Sequence, residues 1–317
     1  MTSTAPLDPA KFRDPTLTAR GELRARVAPT SLETLWFNTG TLCNVACWNC
    51  YIESSPRNDR LAYLSTADVA LYLDEIERER LGTREVGFTG GEPFMNPETP
   101  AMLAETLGRG YRVLMLTNAM RPMMRRTEAL AALQRRYGAR LIMRVSLDHH
   151  TREGHEAMRG PHSWTPALKG IDWLVTNGFT VHIASRQPAN ESEDEARVRF
   201  ARLFAEIGLS IDARDPGALV LFPEMDARLD VPEITERCWG ILKRDPASVM
   251  CATSRMVVKR KGAAHPTVVA CTLLPYEAQF ELGSSLAAAL RPVSLNHPHC
   301  ARFCVLGGAS CSAAPAA

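Results

Sequence analysis

Leu35-Trp36-Phe37 is followed, six residues on, by Cys43-Asn44-Val45-Ala46-Cys47-Trp48-Asn49-Cys50. The aromatic and aliphatic triplet reads as a first β-strand, and the cysteines form a C-x3-C-x2-C loop directly after it. The spacing is uneven and local, so one loop can wrap three corners of a cubane. Iron–sulfur clusters are held by cysteine thiolates, usually four when the cluster only carries electrons. Three thiolates leave one iron open, as substrate-binding chemistry requires. A zinc site is the competing reading. Zinc takes four tetrahedral ligands, commonly from paired C-x2-C units, and no fourth cysteine lies nearby in sequence.

Outward from this loop the chain alternates. Strands are expected at Glu85 to Thr89, Arg112 to Thr117, Leu141 to Leu147, Phe179 to Ala184 and Ala218 to Phe222. Helices are expected at Ser65 to Arg80, Pro97 to Leu107, Met123 to Tyr137, Thr165 to Thr176 and Glu191 to Ile207, with Ser65 or Thr66 capping the first. Six strand–helix units spaced for βαβ crossovers build a parallel sheet with helices outside. Six are too few to close an eight-stranded barrel, so the expected fold is α/β, a partial (β/α)6 TIM-type barrel. Its chemistry belongs at the C-terminal ends of the strands.

The 317 residues, 45% hydrophobic, suit one large α/β domain with an appendage. A net charge of +2 gives no field to gather nucleic acid or an anionic membrane, so neither is an expected partner. Met1 to Ala10 lacks a signal-peptide core, and the expected compartment is the cytoplasm. Nine cysteines without a secretion signal point to metal rather than to a disulfide scaffold. The expected organisation is an extension over 1–33, the barrel over 34–245 and a small cysteine-rich module over 246–317. There Met256 to Cys271 reads as a hairpin around Gly262, and a short helix starts at Gly283-Ser284.

Three further strand ends carry chemistry. Gly90-Gly91-Glu92-Pro93 follows the second barrel strand; two glycines allow close backbone approach, and the carboxylate suits an ammonium group. Leu116-Thr117-Asn118 ends the third. Ser146-Leu147-Asp148 ends the fourth, with Arg159-Gly160 beyond it, and an arginine fork suits a carboxylate.

Together these features resemble the radical S-adenosylmethionine (radical SAM) superfamily, whose signature is C-x3-C-x2-C after the first strand of a partial (β/α)6 barrel. The resemblance implies a [4Fe–4S] cluster on Cys43, Cys47 and Cys50 whose open iron chelates S-adenosylmethionine. The cluster splits this cosubstrate reductively, and a 5′-deoxyadenosyl radical then abstracts hydrogen from the substrate. It implies that Gly90, Gly91, Glu92 and Pro93 hold the cosubstrate's amino group. Ser146 and Arg159, with Asp148, hold ribose and carboxylate, and Asn118 lines the pocket. The residue before the third cysteine is usually aromatic in the family; here it is Asn49, whose backbone can reach the adenine edge.

The later cysteines, Cys251, Cys271, Cys300, Cys304 and Cys311, resemble in part the SPASM and twitch modules that hold auxiliary clusters. The resemblance implies one auxiliary [4Fe–4S] cluster, with Cys251 and Cys271 joined by two of the other three. Structural zinc assisted by His297 and His299 is the alternative. Cys238 reads as a small core residue. His149, His150 and His155 read as solvated. Arg186 and Gln187 after the fifth strand, and Glu224 and Asp226 after the sixth, are the candidate substrate residues.

The expected activity is hydrogen abstraction from a small polar molecule or a peptide. The first alternative is a maturase working with a separate recognition partner, since 33 residues are too few for a leader-peptide-binding domain. The second is a non-enzymatic iron–sulfur or zinc scaffold. A flavodoxin or ferredoxin-type reductant is the expected electron donor.

Overall fold

The computed structural model describes residues 5–188, 190–223 and 225–309. Strand β1 (Arg26–Val27) lies in the N-terminal extension. The barrel opens with β2 (Thr34–Asn38), buried at every position, and α1 (Thr66–Glu79). Ser65 and Asp68 form a reciprocal capping box at the start of α1, and Arg80 ends it in the left-handed region. Then follow β3 (Glu85–Thr89), α2 (Thr99–Gly108), β4 (Arg112–Thr117), α3 (Arg121–Met124), α4 (Thr127–Tyr137) and β5 (Leu141–Ser146). After β5 come α5 (Arg152–Arg159), α6 (Trp164–Thr176), β6 (Thr180–Arg186), α7 (Glu193–Glu206), β7 (Leu219–Phe222) and α8 (Cys238–Leu242). The helix expected over Met123 to Tyr137 is thus two, broken at Arg125–Arg126. The helix α5 was not foreseen in its polar sequence.

Strands β2 to β7 pair in parallel in sequence order, so the partial barrel is present as expected. Strands covered on both faces read as apolar runs, not as alternation. Trp36 faces Gly87 in register, and a Cβ on Gly87 would sit 2.3 Å from the indole. The glycine lets Trp36 lie flat inside, while Phe37 stacks on Phe88 at 5.6 Å. Each such buried side chain contributes roughly 1.5–3 kcal/mol.

The C-terminal segment is built onto this sheet. After β7 the chain returns to β8 (Ser254–Val258), which pairs in parallel with β2, and β9 (Thr267–Val269) pairs antiparallel with β8. The hairpin lies where it was expected, turning through Gly262 at φ +80°. It covers the bare backbone groups that β2 would otherwise expose as an edge. β10 (Glu281–Gly283) extends the sheet to nine strands. α9 (Leu286–Ala289) is the short helix expected after Gly283, and β11 (Val293–Ser294) pairs with β1. The tail winds as a π-helix over Cys300–Leu306.

The extension is fastened to the body. Arg24 is buried and donates to the Asp14 and Leu17 carbonyls and to Glu233. No helix among the described residues is long and apolar enough to cross a membrane.

Candidate functional site

The site lies where the C-terminal ends of β2 to β7 converge. The loop after β2 cannot form regular hydrogen bonds, so its backbone is satisfied from outside. Cys43 N–H donates to the Ser55 carbonyl at 3.1 Å and Trp48 N–H to the Met158 carbonyl at 2.7 Å. Asn49, at φ +53°, donates its amide to the Met225 carbonyl at 2.8 Å. Arg186, the last residue of β6, donates to the Trp48 carbonyl at 2.9 Å and reaches that of Asn49 at 3.4 Å.

The Gly90-Gly91 pair is what makes room for this loop. Gly91 N–H donates to the Gly40 carbonyl at 2.9 Å, and Glu92 N–H to that of Leu42 at 3.1 Å. A Cβ on Gly91 would lie 2.3 Å from the Leu42 carbonyl oxygen and 2.6 Å from that of Thr41. Gly90 adopts φ +148°, and its Cβ would meet the Gly40 carbonyl at 2.5 Å. The sequence called for close backbone approach here, and the partner approached is the cysteine loop itself.

One cavity joins these pieces. Its wall includes all three cysteines of the triad, Asn49, Gly90, Gly91, Pro93, Asn118, Ser146, Asp148, Arg159 and Arg186. The cavity is partly open to solvent at its mouth. Arg159 Nε donates to Asp148 at 2.7 Å. This carboxylate and the neighbouring thiols hold the guanidinium protonated, above its usual range. Burial pushes the Cys43 thiol up to about 12 and raises that of Cys47, so as bare thiols both are inert.

Several expected site residues sit elsewhere. The Glu92 carboxylate does not line the cavity. It accepts from Thr117 Oγ1 and Asn118 N–H, both at 2.8 Å, and ties β3 to β4. Burial raises it to about 7. The Gln187 side chain turns away and donates to the Glu191 carbonyl at 2.7 Å. Asp226 lies outside the cavity, paired with Arg228 at 2.7 Å, which holds it down to about 2. Glu224 and Cys311 fall outside the described residues. His150 and His155 are not solvated. His150 bonds Glu191 at 3.0 Å. His155 is fully buried against Trp164, its ring nitrogens have no partner, and burial lowers it to about 4. The burial of α5 carries His155 inward, and the polar sequence gave no sign of it.

Cys251 and Cys271 both lie within electrostatic reach of Cys300; burial raises Cys251 to about 11 and raises Cys300 well above its usual value. Cys304 is one turn along the π-helix from Cys300. Leu273 and Phe303, next to this group, form part of the cavity wall. Cys238 is half-buried at the start of α8, where its sulfur accepts the Thr235 N–H.

Among the described residues no cysteine forms a disulfide. Nor do three cysteine sulfurs, alone or with histidine or carboxylate, lie within 4.8 Å of one another. A single tetrahedral zinc with bonds near 2.3 Å needs its thiolates about 3.8 Å apart. A cubane holds each thiolate on a separate iron and spreads its thiolates wider than a zinc ion does. His297 Nδ1 accepts the His299 N–H at 3.0 Å.

Residues 37–195, half of the chain, match the Radical SAM superfamily, and the chain belongs to it. It is 32% identical over 143 residues to the antilisterial bacteriocin subtilosin biosynthesis protein AlbA of Bacillus subtilis (strain 168), covering 45% of this chain and 30% of that one. It is 28% identical over 195 residues to the GTP 3',8-cyclase of Rhodococcus opacus (strain B4), covering 52% and 55%. The matched stretches thus span only a third to about half of these relatives' lengths. In fold it is similar to Streptococcus suis SuiB bound to the precursor peptide SuiA, with TM-score 0.59, 11% identity, and 83% and 64% of the two chains covered.

Proposed function

We propose that the chain performs radical S-adenosylmethionine chemistry on a peptide, as a maturase. The observation that carries it is the convergence in one cavity of Cys43, Cys47, Cys50, the Gly90-Gly91 backbone, Ser146 and Arg159. A [4Fe–4S] cluster on the triad supplies the electron that splits S-adenosylmethionine and begins hydrogen abstraction. The chain's own groups do the positioning. Asp148 orients the Arg159 fork toward a carboxylate, Ser146 offers a hydroxyl to ribose, and Asn118 and the Asn49 backbone border the adenine side. Glu92 shapes the Gly90–Pro93 turn from behind.

The peptide reading is supported by the AlbA relative's name and by the SuiB likeness in fold. The nucleotide suggested by the cyclase relative is a poorer fit. Asp148, Arg159 and Arg186 are the charged groups of the described cavity wall; in this reading Arg159 is taken by the cosubstrate's carboxylate, and Arg186 is bonded to loop carbonyls. Little is left to hold a triphosphate. In this reading residues 34–245 carry the radical chemistry, and residues 246–317 hold an auxiliary cluster through Cys251, Cys271, Cys300 and Cys304 or Cys311. A peptide substrate then occupies the space between the two cysteine groups, and a flavodoxin or ferredoxin-type donor supplies electrons.

The test is anaerobic incubation of the iron-loaded, reduced chain with S-adenosylmethionine. 5′-Deoxyadenosine should accumulate. Intact clusters with no such product would favour the scaffold reading.

A further inference from the structure

The structure gives Arg186 a different task from the substrate contact its place in the sequence suggested. It ends β6 and crosses to the neighbouring loop, where its Nη2 meets two successive carbonyls, Trp48 at 2.9 Å and Asn49 at 3.4 Å. Those carbonyls lie between Cys47 and Cys50 in a stretch without helix or strand. A planar fork can serve neighbouring acceptors from one position, where an ammonium on a flexible stem holds them less rigidly. Arg186 Nε is also 4.0 Å from Asp148, the carboxylate that holds Arg159. Two guanidinium groups therefore flank one carboxylate at the wall of the triad, a local surplus of one positive charge (two cations less one anion). Cys47, Asp148, Arg159 and Arg186 share one cavity wall.

We propose that Arg186 is a positioning residue for the cluster loop: it fastens the Cys47–Cys50 segment by its carbonyls and places a cation beside the Cys47 thiolate, which raises the reduction potential of the cluster bound there. The inference rests on the cluster reading above. One-electron reduction adds negative charge to the centre, and a nearby cation in a partly buried site stabilises the reduced form. Arg159 cannot supply this alone, because Asp148 offsets it; Arg186 tips the balance.

Two measurements test the two halves separately. The first uses the full-length chain without iron. Amide hydrogen exchange over residues 45–52 should speed up about tenfold in Arg186→Gln, as expected for losing a charged hydrogen bond, and less in Arg186→Lys. The second uses the iron-loaded chain, with a potentiometric EPR titration of the signal that responds to S-adenosylmethionine. The midpoint should fall in Arg186→Gln and stay near wild type in Arg186→Lys, which keeps the charge. Unchanged exchange over 45–52 in Arg186→Gln overturns the bracing role. An unchanged midpoint in Arg186→Gln, or an equal fall in Arg186→Lys, overturns the electrostatic one. A wild-type chain that binds no iron would instead count against the cluster reading, and the exchange experiment would still judge the brace.

Discussion

Gly91→Ala should unseat the cysteine loop. The added Cβ would lie 2.3 Å from the Leu42 oxygen, 2.6 Å from the Thr41 oxygen and 2.7 Å from the Leu42 carbonyl carbon, where ordinary contact begins at 3.4 Å. All three atoms are backbone, so no side chain can swing aside. Relief requires one segment to move by about 1 Å, which over-packing studies place at roughly 1–3 kcal/mol. The same movement stretches the Gly91-to-Gly40 and Glu92-to-Leu42 hydrogen bonds, each contributing about 1 kcal/mol net. The sum is roughly 3–5 kcal/mol. Urea unfolding of the iron-free chain measures it, and iron analysis after anaerobic reconstitution should show the triad site depleted. Gly240→Ala is the control: its Cβ meets nothing within 4 Å, and in α8 it should be neutral or gain up to about 1 kcal/mol. If Gly91→Ala unfolds at the wild-type urea concentration and takes up as much iron, the loop is not seated on this turn and the argument fails.

Cys251→Ser with Cys300→Ser should lower iron from about eight to about four per chain while leaving the triad's cluster, as counted by iron and sulfide analysis; four irons with one zinc in the wild type would contradict the auxiliary cluster. Glu92, raised by burial to about 7 from its usual 4.5, contributes stability that is full below pH 4.5 and lost as pH rises through about 7. The loss is on the order of 3 kcal/mol, and Glu92→Gln should flatten this part of the iron-free chain's pH–stability curve. Arg159→Lys keeps the charge but not the fork, and S-adenosylmethionine affinity by equilibrium dialysis should fall about tenfold.

The strand–helix alternation was legible because β2 to β7 are short apolar runs separated by helices, two of which, α1 and α7, open with capping boxes, and such local signals survive packing. The triad and the Gly90-Gly91 pair were legible because their spacing is local too. What escaped was non-local. Nothing near Ser254 says that β8 will pair with β2, more than 200 residues away, because an edge strand's need for a partner leaves no mark on the partner's sequence. Glu92 and Arg186 were correctly singled out as polar groups at strand ends, yet periodicity cannot tell which way a strand-end side chain turns. Glu92 went to the neighbouring strand and Arg186 to loop carbonyls. Asp226 was drawn outward by Arg228 two residues on, a local pairing that was present in the sequence and outweighed by the expectation of a substrate site.

The central claim is that the loop after β2 supplies only three ligands and leaves one iron for a small molecule. EPR of the reduced, anaerobically loaded chain with and without S-adenosylmethionine addresses it most directly. The account requires the cosubstrate to change the signal of the cluster on Cys43, Cys47 and Cys50. A spectrum identical in its presence and absence, at full iron loading, would mean that the centre is already closed.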